Sequence, residues 1–262
     1  MPIHDHGRSS DDNPSVLAAG DADVEFAVLS MSEREPDGLD DEYLDWHLLD
    51  HLPEQYRIDG LRLGQRWVAT DACRAARAVA VAPYDRVDHL VGYLFGGPVD
   101  AALGTFFELG ATLNRAGRMP VSLPRVAVTG WQATGRVAAP RVLVGADVVP
   151  WRPQRGVYVI IETRADGGDE RTDELDALAD VDGVAGVWRY RDDGARHQRM
   201  QPIEGAHLTI CYLDDEPSSV AAALGSGLSA RWADGAITPL LAGPFDVVLP
   251  FVADRLAGGR GE

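Results

Sequence analysis

A chain of 262 residues, 45% hydrophobic and 25% charged, is long enough to bury a sizeable core as one large domain or two small ones. Its 41 acidic against 24 basic residues give a formal charge of -17, which repels nucleic-acid backbones and anionic membranes alike, and no apolar run nears the roughly 18 residues that span a bilayer. Every basic residue is arginine, so lysine Schiff bases and P-loops are excluded, and the two distant cysteines, Cys73 and Cys211, exclude a thiolate zinc site.

Residues 1–22 are polar and without period, which predicts a flexible arm; the opening has neither a cationic start nor an apolar stretch, so a cytoplasmic protein is expected. "VEFAVLSM" (24–31) reads as a strand and residues 39–57 as a helix. "LRLGQRWVA" (61–69) and "HLVGYLF" (89–95) read as strands, 98–117 as a helix with Pro98 near its first turn, and "SLPRVAVTGW" (122–131) as a strand. From Val157 the order β-α-β-β-α-β begins again: "VYVIIETR", "DERTDELDALADV", "GVAGVWRYR", "AHLTICYL", "PSSVAAALGSGLSARW" and "PLLAGPFDVVLPF".

Positions match across the halves, "IDGLRLGQRW" beside "VDGVAGVWRY" and "HLVGYLF" beside "HLTICYL". The reading is an α+β chain of two ferredoxin-like βαββαβ units, packed sheet to sheet as an internal pseudo-dimeric barrel. One such unit leaves a sheet face uncovered, and the other supplies the cover. The expected layout is a unit at 23–133, a connection at 134–156, a second unit at 157–252 and a flexible tail at 253–262; two independent domains on a linker are the plainer alternative.

Chemistry concentrates in "DEYLDWHLLDHLPEQYRIDG" (41–60). On an α-helix Tyr43, His47 and His51 form one stripe beside Leu44, Leu48 and Leu52, and Pro53 favours a kink or end just after His51. His89 and Tyr93, four apart on a strand, share a sheet face: toward the helices they come near His51, and toward the other sheet Tyr93 is core and His89 an edge residue. His47 and His51 have the spacing of two metal ligands, but no third ligand is recognisable, and no metal is expected. The bland reading of each histidine is a carbonyl cap or a half-exposed seam residue.

Trp46, His51, Pro53 and Gly60 resemble the motif of EthD-like dimeric α/β-barrel proteins, in which the pocket lies between a unit's sheet and its helices. The resemblance in motif covers the first half; the second reads Asp173, Glu174, Asp176, Ala177 and Ala179 where the His motif would stand. It implies His51 as the group that points into the pocket; the strand face adds His89 and Tyr93 as candidate catalytic groups, and the helix adds Tyr43, Trp46 and His47 as candidate substrate-binding ones.

An imidazole can move a proton at neutral pH without a cofactor, and a phenol can hold an enolate oxygen. The leading expectation is a cofactor-independent cyclase, dehydratase or isomerase, of the lyase or isomerase type, acting on an aromatic, polyketide-like or lactone substrate; the family also contains cofactor-free monooxygenases. The alternatives are a haem-binding tandem barrel, with His197 or His207 as axial ligand in the second half, and a non-catalytic ligand-binding protein. The expected partner is a small molecule, with neither nucleic acid nor membrane and with a homo-oligomer left open. One functional cavity, within residues 24–131, is expected per chain.

Overall fold

A computed structural model describes residues 9–35, 38–164 and 172–248. The first unit comprises β1 (Phe26–Ser32), α1 (Asp40–Trp46), β2 (Leu61–Val68), a short β3 (Val79–Ala80), β4 (His89–Phe95), α2 (Val99–Arg115) and β5 (Arg125–Ala138). The second comprises β6 (Gly156–Arg164), α3 (Thr172–Ala179), β7 (Val184–Asp192), β8 (Ala206–Leu213), α4 (Pro217–Trp232) and β9 (Ile237–Val247). Within each unit the strands are antiparallel, ordered β2-β4-β1-β5 and β7-β8-β6-β9, so each is a ferredoxin-like sheet.

The two sheets face each other across a core and join at both edges. The C-terminal part of β5, from Trp131 to Ala138, pairs with β7, and Trp67 and Val68 of β2 pair with Val247 and Asp246 of β9. The result is a closed α/β barrel, and closure removes the sheet edges that would otherwise recruit other strands. Alternate residues explain why the strands read as unbroken apolar runs: Ala27, Leu29 and Met31 of β1 and Leu90 and Leu94 of β4 enter the barrel, while Phe26, Val28, Val91, Tyr93 and Phe95 meet the helices. Trp67, Trp131, Trp188, Tyr190 and Phe245 fill the interior.

The segment expected as a connection is ordered. Its start belongs to β5, and Trp188 donates from Nε1 to the carbonyl of Ala146 at 2.9 Å, within a 3-10 turn at Ala146–Trp151. Residues 9–20 of the expected arm carry two helical turns that lie on this connection, where Ser10 donates its N–H to Leu143 O and Ala146 donates to the Asp11 carboxylate. Asp21 and Ala22 continue this contact, Ala22 donating its N–H to the Asp147 carboxylate at 3.0 Å, whereas residues 1–8 of the arm and the tail at 253–262 lie outside the described residues.

The chemistry-bearing helix is not a uniform α-helix. After α1 the chain makes a π-helical turn, His47–His51, and a last α turn, Leu52–Gln55. The Leu52 N–H bonds the carbonyl of His47, five residues back. Pro53 therefore neither ends nor breaks the helix after His51, as its sequence position suggests. The widened turn ahead of it takes up the strain that its ring would place on the carbonyl four residues back. Gly60 (φ +92) then turns the chain into β2, where a Cβ would sit 3.1 Å from the Gly96 carbonyl.

Candidate functional site

The π turn swings two imidazoles onto the outer face of the first sheet. His47 Nε2 lies 2.8 Å from the Tyr93 hydroxyl, and Gln55 donates its amide N–H to His51 Nε2 at 3.0 Å. The rings of His47 and His51 are 5.5 Å apart, and Trp46 stacks on His51 at 4.9 Å while its indole N–H holds the carbonyl of Arg118. His47, His51, Gln55 and Tyr93 are all buried. Tyr93 thus takes the helix-facing one of its two expected orientations, which brings phenol and imidazole together.

These groups form the inner end of a cavity of about 730 Å3. Its walls come from β1, β4, the α1 helix, α2 and the loop before β5, with Val91, Phe106, Phe107, Met119 and Leu123 as the apolar part. Tyr43, Trp46, His47, His51 and Tyr93 all line it; His89 does not. His89 sits one ring behind, edge-on to Tyr43 at 6.1 Å, with its Nε2 2.6 Å from Asp40.

The cavity extends beyond residues 24–131, because Arg199 of the second unit is part of its wall. The loop after β7 crosses over: Met200 packs in the first unit's outer core, the Gln201 N–H bonds Val128 O, and His197 stacks on Phe107 at 4.2 Å. His197 is consequently engaged at the interface of the units. No periodicity marks this loop in the sequence.

Charge at the site is tuned by burial. His47 is held well below the ordinary imidazole range by burial, then by Arg66 and His51. Burial likewise pushes His51 down to about 4; Arg66 and Arg118 add to this, whereas Asp50 opposes it. The Tyr93 phenol is pushed up by burial and keeps its proton. The neutral-pH site therefore holds two uncharged imidazoles and a phenol O–H. Gln55 and Arg66, both buried, were not singled out by sequence; a charged residue in β2 on the same face as Gly64 was the available signal.

The corresponding place in the second unit is filled by ions. Glu162, fully buried, accepts from Trp232 Nε1 at 3.1 Å and pairs with Arg231 and Arg164; Glu174 pairs with Arg164, Arg189 and Arg231 at 2.5, 3.0 and 3.0 Å. The described residues that line the smaller cavity there, about 300 Å3, are Asp173, Glu174, Arg231 and apolar groups, with no imidazole, thiol or thioether among them. These residues offer haem iron no axial ligand. His207 lies in β8 with Glu162 as its cross-strand neighbour and does not line that cavity. Among the described residues no group of three His, Cys, Asp or Glu side chains is arranged to hold a metal ion. None of the helices among those residues is long and apolar enough to cross a membrane.

Solved structures with the same arrangement exist. An anthrone oxidase-like protein superposes with a TM-score of 0.53 at 13% identity, over 88% of this chain and 94% of that one. The chain has the dimeric α/β-barrel fold. A provisionally named monooxygenase from Fusobacterium nucleatum subsp. nucleatum matches at TM-score 0.52 and 11% identity over 86% of this chain and 92% of its own, and a provisionally named chlorite dismutase at 0.52 and 11% over 87% and 96%. No family model and no curated sequence matches the chain. At these identities the likeness is one of fold, and function has to be argued from the site.

Proposed function

We propose that the first-unit cavity performs cofactor-independent acid/base chemistry on a small aromatic, polyketide-like or lactone molecule, as a cyclase, dehydratase or isomerase. The observation that carries this reading is the placement of an uncharged His51 beside the His47–Tyr93 pair in one aromatic-walled cavity. His51 Nε2, the ring nitrogen that accepts from the Gln55 amide, takes a proton from the carbon next to a carbonyl once the substrate displaces that amide. The Tyr93 O–H, backed by His47, donates to that carbonyl oxygen as it becomes an enolate. Trp46 and Tyr43 hold the substrate's flat face, and His89 with Asp40 positions Tyr43. We also read the two units as copies of one ancestral EthD-like unit, of which only the first keeps the imidazole motif.

A haem reading has less support: among the described residues the second-unit cavity wall has no ligand for the iron. The test is proton exchange in D2O. A panel of enolisable lactones and aromatic ketones is followed by NMR for deuterium entering next to the carbonyl. Exchange by the wild type, falling about 10²- to 10⁴-fold in a folded His51→Ala variant, is expected. Equal exchange in both proteins overturns the assignment.

A further inference from the structure

Arg66 is 2% exposed, and none of its three guanidinium nitrogens has a hydrogen-bond partner among the described residues. Its guanidinium lies 4.5 Å over the Tyr43 ring. A cation–π contact of this kind recovers less than a buried charge loses when left without its partner, so the ring alone does not balance the ion. Arginine does not escape by losing its proton.

The second unit shows what balances it there. Arg189 stands six residues after Gly183 as Arg66 stands six after Gly60, and Glu174 stands nine before Gly183 as His51 stands nine before Gly60. The strand registers agree, Arg66 facing Val91 and Arg189 facing Thr209 at corresponding places on β4 and β8. In the second unit the Glu174 carboxylate reaches Arg189 at 3.0 Å. In the first, the same position holds an imidazole that stays neutral, and beside it a cavity opens where the second unit has its ion cluster. The cavity wall points the same way: in a chain of net charge -17 its described residues include Arg115, Arg125 and Arg199 but neither aspartate nor glutamate.

We infer that the first-unit cavity takes a small organic anion with an aromatic body, whose negative group, at the Tyr43–His47–Tyr93 end, does for Arg66 what Glu174 does for Arg189. This rests on the first cavity being the ligand site and specifies its substrate class. The aromatic body lies against Trp46, Phe106 and Phe107. The anion needs no direct contact with Arg66: at a few ångströms in a weakly screened interior, opposite charges attract across Tyr43.

The test compares two fluorescent probes of one shape, anilinonaphthalene sulfonate and the neutral phenylnaphthylamine. The wild type should bind the sulfonate at least about tenfold more tightly, a difference of about 1.4 kcal/mol. In Arg66→Met the two affinities should converge. His51→Glu, which builds the second unit's carboxylate into the first, should lose the sulfonate preference and melt at a higher temperature; this variant decides the matter if Arg66→Met does not fold. Equal affinities in the wild type, or a preference that survives either folded variant, overturn the inference. Probe selectivity is read without turnover. A sulfonate preference with no deuterium exchange therefore removes the acid/base reading alone, and exchange with equal probe affinities removes the anion alone.

Discussion

The hydroxyl of Tyr93 and Nε2 of His47, 46 positions apart in sequence, lie 2.8 Å from each other with both side chains buried. β4 supplies the phenol and the π turn supplies the imidazole, so the contact ties the helix to the sheet at the point where the cavity ends. Because burial keeps the phenol protonated and the imidazole neutral, the pair shares one hydrogen without separating charge.

Tyr93→Phe should therefore cost about 1–3 kcal/mol, the penalty for leaving the His47 nitrogen buried without its partner, and should lower proton exchange on any substrate whose carbonyl it polarises. Urea unfolding measures the first effect and NMR exchange the second. Unchanged stability would mean that the hydrogen bond contributes nothing net.

The depressed imidazoles predict how stability follows pH. A histidine whose folded pKa lies below its unfolded value near 6.5 binds its proton more readily in the unfolded chain, so stability is complete above 6.5 and falls as pH drops toward the folded pKa. For His51, with a folded value of about 4, the loss between pH 7 and pH 5 is about 2 kcal/mol, and His47 adds to it in the same direction. Asp50, Arg66 and Arg118 face His51, and an anionic ligand in the cavity would lift its pKa and shrink the loss. Denaturant curves at the two pH values, on wild type and His51→Phe, check this; an equally steep dependence in the variant would assign it to other groups.

In the second unit, Glu162→Gln removes the charge opposite Arg164 and Arg231 at a fully buried site. A loss of about 1–3 kcal/mol is expected, because Arg164 and Arg231 are left to share Glu174 with Arg189 and the Trp232 indole N–H loses its charged acceptor. Binding at the first-unit cavity should be unaffected, since its walls include none of Glu162, Arg164 and Arg231. A fall in melting temperature with intact probe binding is the expected pair of results.

Cutting the chain near Arg155 should give two halves that aggregate. Each would expose one face of the barrel core, with Trp67 and Trp131 in one half and Trp188, Tyr190 and Phe245 in the other, together with the strand edges now paired between β5 and β7 and between β2 and β9. Several hundred Å2 of apolar surface at about 25 cal/mol per Å2 is roughly 10 kcal/mol, comparable with a domain's whole stability. A first half that stays monomeric and folded in size-exclusion chromatography would refute the cover role of the second.

What the sequence by itself determined was the order and approximate extent of the elements, since alternation and 3.6-residue periodicity are local. The β8 and α4 bounds, Ala206–Leu213 and Pro217–Trp232, are those its pattern predicts. It also marked the helix that carries Tyr43, Trp46, His47 and His51, because imidazoles along an apolar stripe are legible without a fold. It left undecided which face of β4 meets the helices: when both faces of a strand are buried, both are apolar, and a period of two separates them without naming them. Only the tertiary structure turned Tyr93 to His47, placed His89 behind Tyr43 and brought Arg199 into the wall of the other unit's cavity. It alone also set the π turn ahead of Pro53. Whether Arg66 has a carboxylate beside it, as Arg189 has, depends on how a helix sits over a sheet, and no local pattern in the chain encodes that distance.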